Sequence, residues 1–170
     1  ATGDWTVSNG SFVDTGIGVY AESATGQWRI RRTSVESSRE YSFSGETTGI
    51  YAAETTAAWR IANTTVEGAE AAVDLTPRYP RFDDPASGNL TIAESKLVEN
   101  EVAIRANGVN GSWVVTRSTI ADNAIGIDAT DANRTGDATD NWWGQPSGPE
   151  KSQCVGNVDC TAPPTSDPGA

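Results

Sequence analysis

Histidine and methionine are absent from the 170 residues, lysine occurs only at Lys96 and Lys151, and cysteine only at Cys154 and Cys160. Without histidine there is no Ser–His–Asp triad and no imidazole metal ligand. Two cysteines alone do not complete a thiolate metal site. Five residues separate them. That spacing suits a small disulfide loop, worth on the order of 2 kcal/mol. No apolar run of about 18 residues is present, so no membrane insertion is expected. A charged-then-apolar leader is missing too, and the first residue is not methionine, which reads as a mature or excised product. Basic residues are outnumbered: 12 Lys and Arg against 23 Asp and Glu leave a net charge of -11. That sign repels phosphate backbones and argues against a nucleic-acid partner. The length suits one domain.

What remains is rich in acid and, among the bases, in arginine. An acid-rich, lysine-poor, methionine-free composition is expected of a protein that works in molar salt. In about 1 M salt the Debye length is near 3 Å, so the excess charge barely repels itself. The address reads as extracellular. A disulfide favours an oxidising compartment, and the N-x-S/T acceptor pattern of glycosylation occurs at Asn9, Asn63, Asn89, Asn110 and Asn133.

The organising feature is an internal repeat. Trp5-Thr6-Val7, Trp28-Arg29-Ile30, Trp59-Arg60-Ile61 and Trp113-Val114-Val115 share one form, and Leu90-Thr91-Ile92 fits it with Leu for Trp. From the aliphatic residue onward the apolar positions fall at spacings of 5, 5 and 2: Val7, Phe12, Ile17, Val19; Ile61, Val66, Ala71, Val73; Ile92, Leu97, Val102, Ile104; Val115, Ile120, Ile125, Ile127. The second unit has Ile30 and Val35, then an insertion of ten, then Ile50 and Ala52. Unit starts lie 23, 31, 31 and 23 residues apart. Pairs at i and i+2 are strand alternation, and the Gly, Asn, Asp, Ser and Thr between them are turn residues. One such unit cannot bury its apolar face alone, but a stack of them can. The expected fold is all-β: a right-handed parallel β-helix of about five coils with two loop insertions and a disulfide-closed C-terminal cap. The β-helix domain is expected over 1–162, followed by a Pro-rich tail over 163–170 that reads as an extended linker.

The register places Trp5, Trp28, Trp59, Leu90 and Trp113 in one ladder. Burial is favoured over an aromatic platform for sugars, because Leu occupies the fourth place. Asn100 and Asn123 fall at equivalent turns and suit a side-chain ladder. Glu36 with Glu67, and Arg29 with Arg60, read as a solvated outer face. The insertions cover roughly 36–49, with Tyr41 and Phe43, and roughly 74–88, with Tyr79 and Phe82. Aromatics on projecting loops are candidate interface anchors.

Beyond the fifth unit the stretch Asp137-Ala138-Thr139-Asp140-Asn141-Trp142-Trp143-Gly144, followed by Pro146, Gly148 and Pro149, resembles the closing segment of exported right-handed β-helix repeat proteins, which are common on prokaryotic surfaces and frequent in haloarchaea. In that family the segment often ends G-N-V-D-Y. Here Gly156-Asn157-Val158-Asp159-Cys160 has Cys in place of the aromatic, so a disulfide takes over its anchoring role. The resemblance covers residues 1–162. It implies the fold and export, and no particular activity. Trp142 and Trp143 are expected to cover the last coil.

Cleaving enzymes of this shape need carboxylates gathered on one face. Asp83 with Asp84, and Asp122 with Asp128, Asp131, Asp137 and Asp140, are the candidates. The first two are sequence neighbours whose side chains diverge in a strand. The segment Asp128–Asp140 has oxygen ligands of the kind calcium takes, but not a recognisable loop spacing. No catalytic residue, metal or cofactor is therefore assigned. The favoured function is a non-catalytic, glycosylated, extracellular structural subunit that assembles with copies of itself into a surface filament or coat. The argument is that the first coil would otherwise expose unpaired backbone. A carbohydrate-binding or polysaccharide-cleaving module, with surface glycans as partners, and a domain of a larger adhesin are the alternatives.

Overall fold

The computed structural model describes residues 2–38, 46–77 and 86–168. Among these residues there is no helix. The strands are β1 (Trp5–Ser8), β2 (Ser11–Thr15), β3 (Ile17–Tyr20), β4 (Trp28–Arg31), β5 (Ser34–Ser37) and β6 (Thr48–Tyr51). They continue with β7 (Trp59–Ala62), β8 (Thr65–Glu67), β9 (Ala71–Asp74), β10 (Leu90–Ala93), β11 (Lys96–Val98) and β12 (Val102–Arg105). The last are β13 (Trp113–Thr116), β14 (Thr119–Ala121), β15 (Ile125–Ala129), β16 (Gly136–Asp137), β17 (Cys154–Gly156) and β18 (Val158–Asp159).

Every pairing between them is parallel, and the strands sort into three stacked sheets. Sheet A runs β1-β4-β7-β10-β13-β16-β18, sheet B runs β2-β5-β8-β11-β14, and sheet C runs β3-β6-β9-β12-β15-β17. Consecutive strands in the chain thus belong to different sheets, and neighbours within a sheet come from successive repeats. This is a β-solenoid arrangement. Its core is the column between the sheets: Ile30, Ile61, Ile92 and Val115 from sheet A, Val35, Val66, Leu97 and Ile120 from sheet B, and Ile50, Val73, Ile104 and Ile127 from sheet C, all at most 1% exposed.

The register bears out most of the repeat. Trp5, Trp28, Trp59, Leu90 and Trp113 are direct neighbours across sheet A. One alignment differs. Thr48, not Ile50, pairs with Ile17, and Ile50 pairs with Val19. The insertion in that repeat is therefore eight residues, not ten. Counting apolar residues missed it because Thr48, a buried β-branched residue, holds a position that Ile or Val fills elsewhere.

The closing segment does more than cover the stack. It adds β16 and β18 to sheet A and β17 to sheet C. Trp143 is buried and lies against Gly126, where an added Cβ would come within 2.5 Å of the indole ring. Trp142 bridges to Thr119. The Cys154–Cys160 disulfide is formed. It joins β17, the last strand of sheet C, to the residue that follows β18, the last strand of sheet A. The tail does not run free as a linker. Thr119 Oγ1 donates to Asp167 Oδ1 at 2.6 Å, and Pro163 packs beside Gly148.

Turns are secured by columns of like residues. At the corner from sheet A to sheet B, Asn9, Arg32, Asn63, Glu94, Arg117, Asp140 and Ala162 all have left-handed φ of 48–59°. The next residue supplies a second column. Thr64 N–H donates to Ser95 Oγ, Ser95 N–H to Ser118 Oγ, and Ser118 N–H to Asn141 Oδ1, at 3.3, 3.2 and 3.0 Å. At the corner from B to C, Ala69 N–H donates to Asn100 Oδ1 and Asn100 N–H to Asn123 Oδ1, at 3.0 and 2.9 Å. The Asn100–Asn123 ladder is the one expected. The Ser/Asn column was missed, although Ser95, Ser118 and Asn141 recur every 23 residues.

Candidate functional surfaces

The tryptophan ladder is core. Trp28, Trp59 and Trp113 are at most 3% exposed. Trp5 stacks on Trp28 at 5.0 Å between ring centroids and Trp28 on Trp59 at 4.3 Å. Leu90 interrupts the stack, and Trp113 leans over Gly136, which has no side chain to obstruct it. The indole N–H groups of Trp5, Trp28, Trp59, Trp113 and Trp143 are buried without a hydrogen-bond partner. Burial and stacking, not polar contacts, hold this column.

The first repeat is different. Trp5, Val7 and Phe12 are only half-buried, while their neighbours Trp28, Ile30 and Val35 are at most 1% exposed. Strands β1, β2 and β3 each form one edge of their sheet. Together they rim an open mouth of about 550 Å³ lined by Trp5, Val7, Phe12, Val19 and Tyr20. Tyr20 is 52% exposed and stacks on Tyr51 at 5.1 Å.

A second concavity, of about 600 Å³, lies on the corner between sheets A and B. Asn63, Thr65, Glu94, Lys96, Arg117 and Pro168 are among its lining residues. Arg117 pairs with Glu94 at 2.8 Å, and Asn63 Nδ2 donates to Glu94 Oε2 at 3.2 Å.

All five acceptor asparagines are exposed. Asn9 and Asn63 follow sheet A strands, and Asn89, Asn110 and Asn133 precede them. Every acceptor therefore borders sheet A. Asn110 and Asn133 are hydrogen-bonded to each other at 2.5 Å.

The carboxylates that were candidates for a metal site are dispersed. Asp128 accepts from Thr130 N–H and Oγ1 and from Asn107 Nδ2. Asp137 accepts from Thr139, and Asp159 from Thr161, in the same turn. Burial raises the Asp128 carboxyl, but the bonds from Thr130 and Asn107, with the Arg105 charge, outweigh it and hold the group below its ordinary value. Hydrogen bonds from Thr161 likewise hold Asp159 low. Among the described residues, no three Asp, Glu or Cys side chains gather around a common point. The anchors Tyr41, Phe43, Tyr79 and Phe82, and the carboxylates Asp83 and Asp84, lie outside the described residues.

Compared with family models, curated proteins and solved structures, the chain matches none. A disulfide in place is compatible with an extracellular protein.

Proposed function

We propose that the chain is a non-catalytic extracellular structural subunit, a right-handed β-helix of five coils that assembles with further copies into a surface filament or coat. The observation that carries this is the open mouth. Unpaired strand edges around an apolar opening are a template for another strand layer, supplied by chain that precedes residue 1 or by a further copy; we adopt the second reading. The other end of the stack is occupied by the closing segment, its disulfide and the tail, so simple end-to-end stacking is hindered. Contacts through the mouth and the loop aromatics Tyr41, Phe43, Tyr79 and Phe82 fit better. The resemblance to exported haloarchaeal repeat proteins agrees with this reading. So do an acidic composition that molar salt screens and five exposed glycan acceptors.

The test is electron microscopy with light scattering, in molar salt and in dilute buffer. Fibres or sheets that form in high salt and dissolve on dilution are the expected result. A monodisperse monomer of about 18 kDa in both conditions would sink the proposal.

A second reading, a carbohydrate-binding module, is favoured by the polar concavity beside Asn63, where Glu94, Lys96 and Arg117 converge. It predicts retention on a glycan array that Arg117→Ala abolishes.

A further inference from the structure

The outer face of sheet A carries one register column, Thr6, Arg29, Arg60, Thr91, Val114, Asp137 and Asp159. Charge is segregated along it. Thr6 stands at the mouth, then come the two arginines, then the uncharged Thr91 and Val114, and the aspartates lie at the closed end. Arg29 and Arg60 are exposed and directly opposed, an arrangement that costs stability when no counter-charge is present. Among the described residues neither guanidinium has an ion pair or a hydrogen bond, and nor do those of Arg31 and Arg32 beside them. The other described arginines all have partners: Arg105 pairs with Glu70 and Asp74, Arg117 with Glu94, and Arg134 with the Asn110 carbonyl. In a chain of net charge -11, three unpaired arginines on this face, with Arg32 at its corner, call for an anion from outside. Asp137 and Asp159 are exposed as well, and the bonds from Thr139 and Thr161 use only Oδ1, which leaves Oδ2 open.

We propose that this face pairs with the same face of a second copy, with the two stacks antiparallel. A two-fold axis along the strands, between the Thr91 and Val114 rungs, sets Arg29 against Asp159 and Arg60 against Asp137 of the second copy. Each contact then occurs twice. Thr91 meets Val114, and at the flanking corner Glu94 meets Arg117. No other placement of the axis opposes both arginines to both aspartates. The proposal rests on the self-assembly reading and names one of its contacts. The face is about 29 Å tall by 13 Å wide, from seven strands spaced about 4.8 Å and about four residues of width. That gives roughly 400 Å² per copy, so the pair is weak alone and gains strength where other contacts hold the copies together. A sugar on Asn89, which precedes Leu90 on the central rung, would stand between the copies. Asn89 is therefore unmodified in the paired form.

The experiment is sedimentation equilibrium on the whole chain at up to millimolar protein. Salt of about 0.15 M confines the net repulsion to about 8 Å. Arg60→Asp and Asp137→Arg alone should each weaken self-association at least about tenfold, and the two together in one chain should restore it, because the swap re-forms both symmetric contacts. A spin label at Thr6→Cys should read about 34 Å across the pair, seven rungs of about 4.8 Å. Circular dichroism melts check that the variants stay folded. Failure of the double swap to restore association overturns the pairing, as does a Thr6 distance near 10 Å or stoichiometric sugar on Asn89. Capture of dextran sulfate by Arg29 and Arg60 without self-association overturns it in favour of a polyanion ligand. If fibres persist in molar salt while Arg60→Asp changes nothing, the pairing falls and assembly stands. Monomers under every condition overturn both.

Discussion

Arg105 reaches one rung along sheet C to Asp74, with Nη1 3.3 Å from Oδ2. On its other side in the same column stands Asp128. An alternating carboxylate–guanidinium–carboxylate column turns the acid excess into local structure at this point. Its cost appears in acid. The Asp128 carboxyl is held below its ordinary value, so its contribution is complete above the unfolded value of about 3.9. It fades as pH falls through the folded value.

Denaturant midpoints measured from pH 7 down to pH 2 should therefore drop on the acid side. Asp128→Asn should lower stability at pH 7 by about 1 kcal/mol and flatten the acid limb. An unchanged pH profile in the variant would assign the acid sensitivity to other carboxylates.

The stack should be most sensitive at Trp28. Its ring is sandwiched between Trp5 and Trp59 and is fully buried. Trp28→Ala is expected to cost about 3–5 kcal/mol. Trp28→Phe should cost clearly less, because it keeps an aromatic face and removes a buried N–H that lacks a partner. Equilibrium unfolding of both variants checks the order.

Gly126→Ala is expected to destabilise by about 1–3 kcal/mol, since the new methyl would meet the Trp143 ring and the Gln153 carbonyl. Near-ultraviolet circular dichroism should show the disturbance as a changed tryptophan environment. Asn100→Ala should cost a similar amount, because it leaves the buried Ala69 N–H without its acceptor.

Replacing Cys154 and Cys160 with serine should lower stability by on the order of 2 kcal/mol. Proteolysis should then begin within 150–162, because the loop no longer joins the ends of sheets A and C. Intact-mass analysis after limited digestion reads the site directly.

Much of this architecture is legible in the residues, and the reason is geometric. A parallel stack forces equivalent positions into contact, so Trp5, Trp28, Trp59, Leu90 and Trp113 announce their register by identity and spacing alone. Thr48 shows where that logic fails. A buried threonine reads as a turn residue in a pattern built on apolarity, and the alignment slips by two. The strands β16, β17 and β18 were not foreseen for the same reason: Gly136, Cys154 and Val158 continue the columns without the apolar pairs that mark earlier rungs. The surfaces were harder still. The contrast between partnered and unpartnered arginines cannot be seen in sequence, because it depends on which carboxylates the fold brings near. Arg29 and Arg60 read as an ordinary solvated pair until Asp137 and Asp159 are seen to finish their column.

The unbroken column of left-handed residues between sheets A and B limits where this molecule can change. Two residues separate the sheet A and sheet B strands at Asn9, Arg32, Asn63, Glu94 and Arg117 alike. Both eight-residue insertions fall at the other two corners. A foreign peptide grafted at the corners after Ser37 or after Asp74 enters where the repeat already admits extra residues. One placed at the A–B corner must break a chain of backbone geometry that each rung passes to the next. That corner acts as the ruler of the stack, and the other two are its free ports for display.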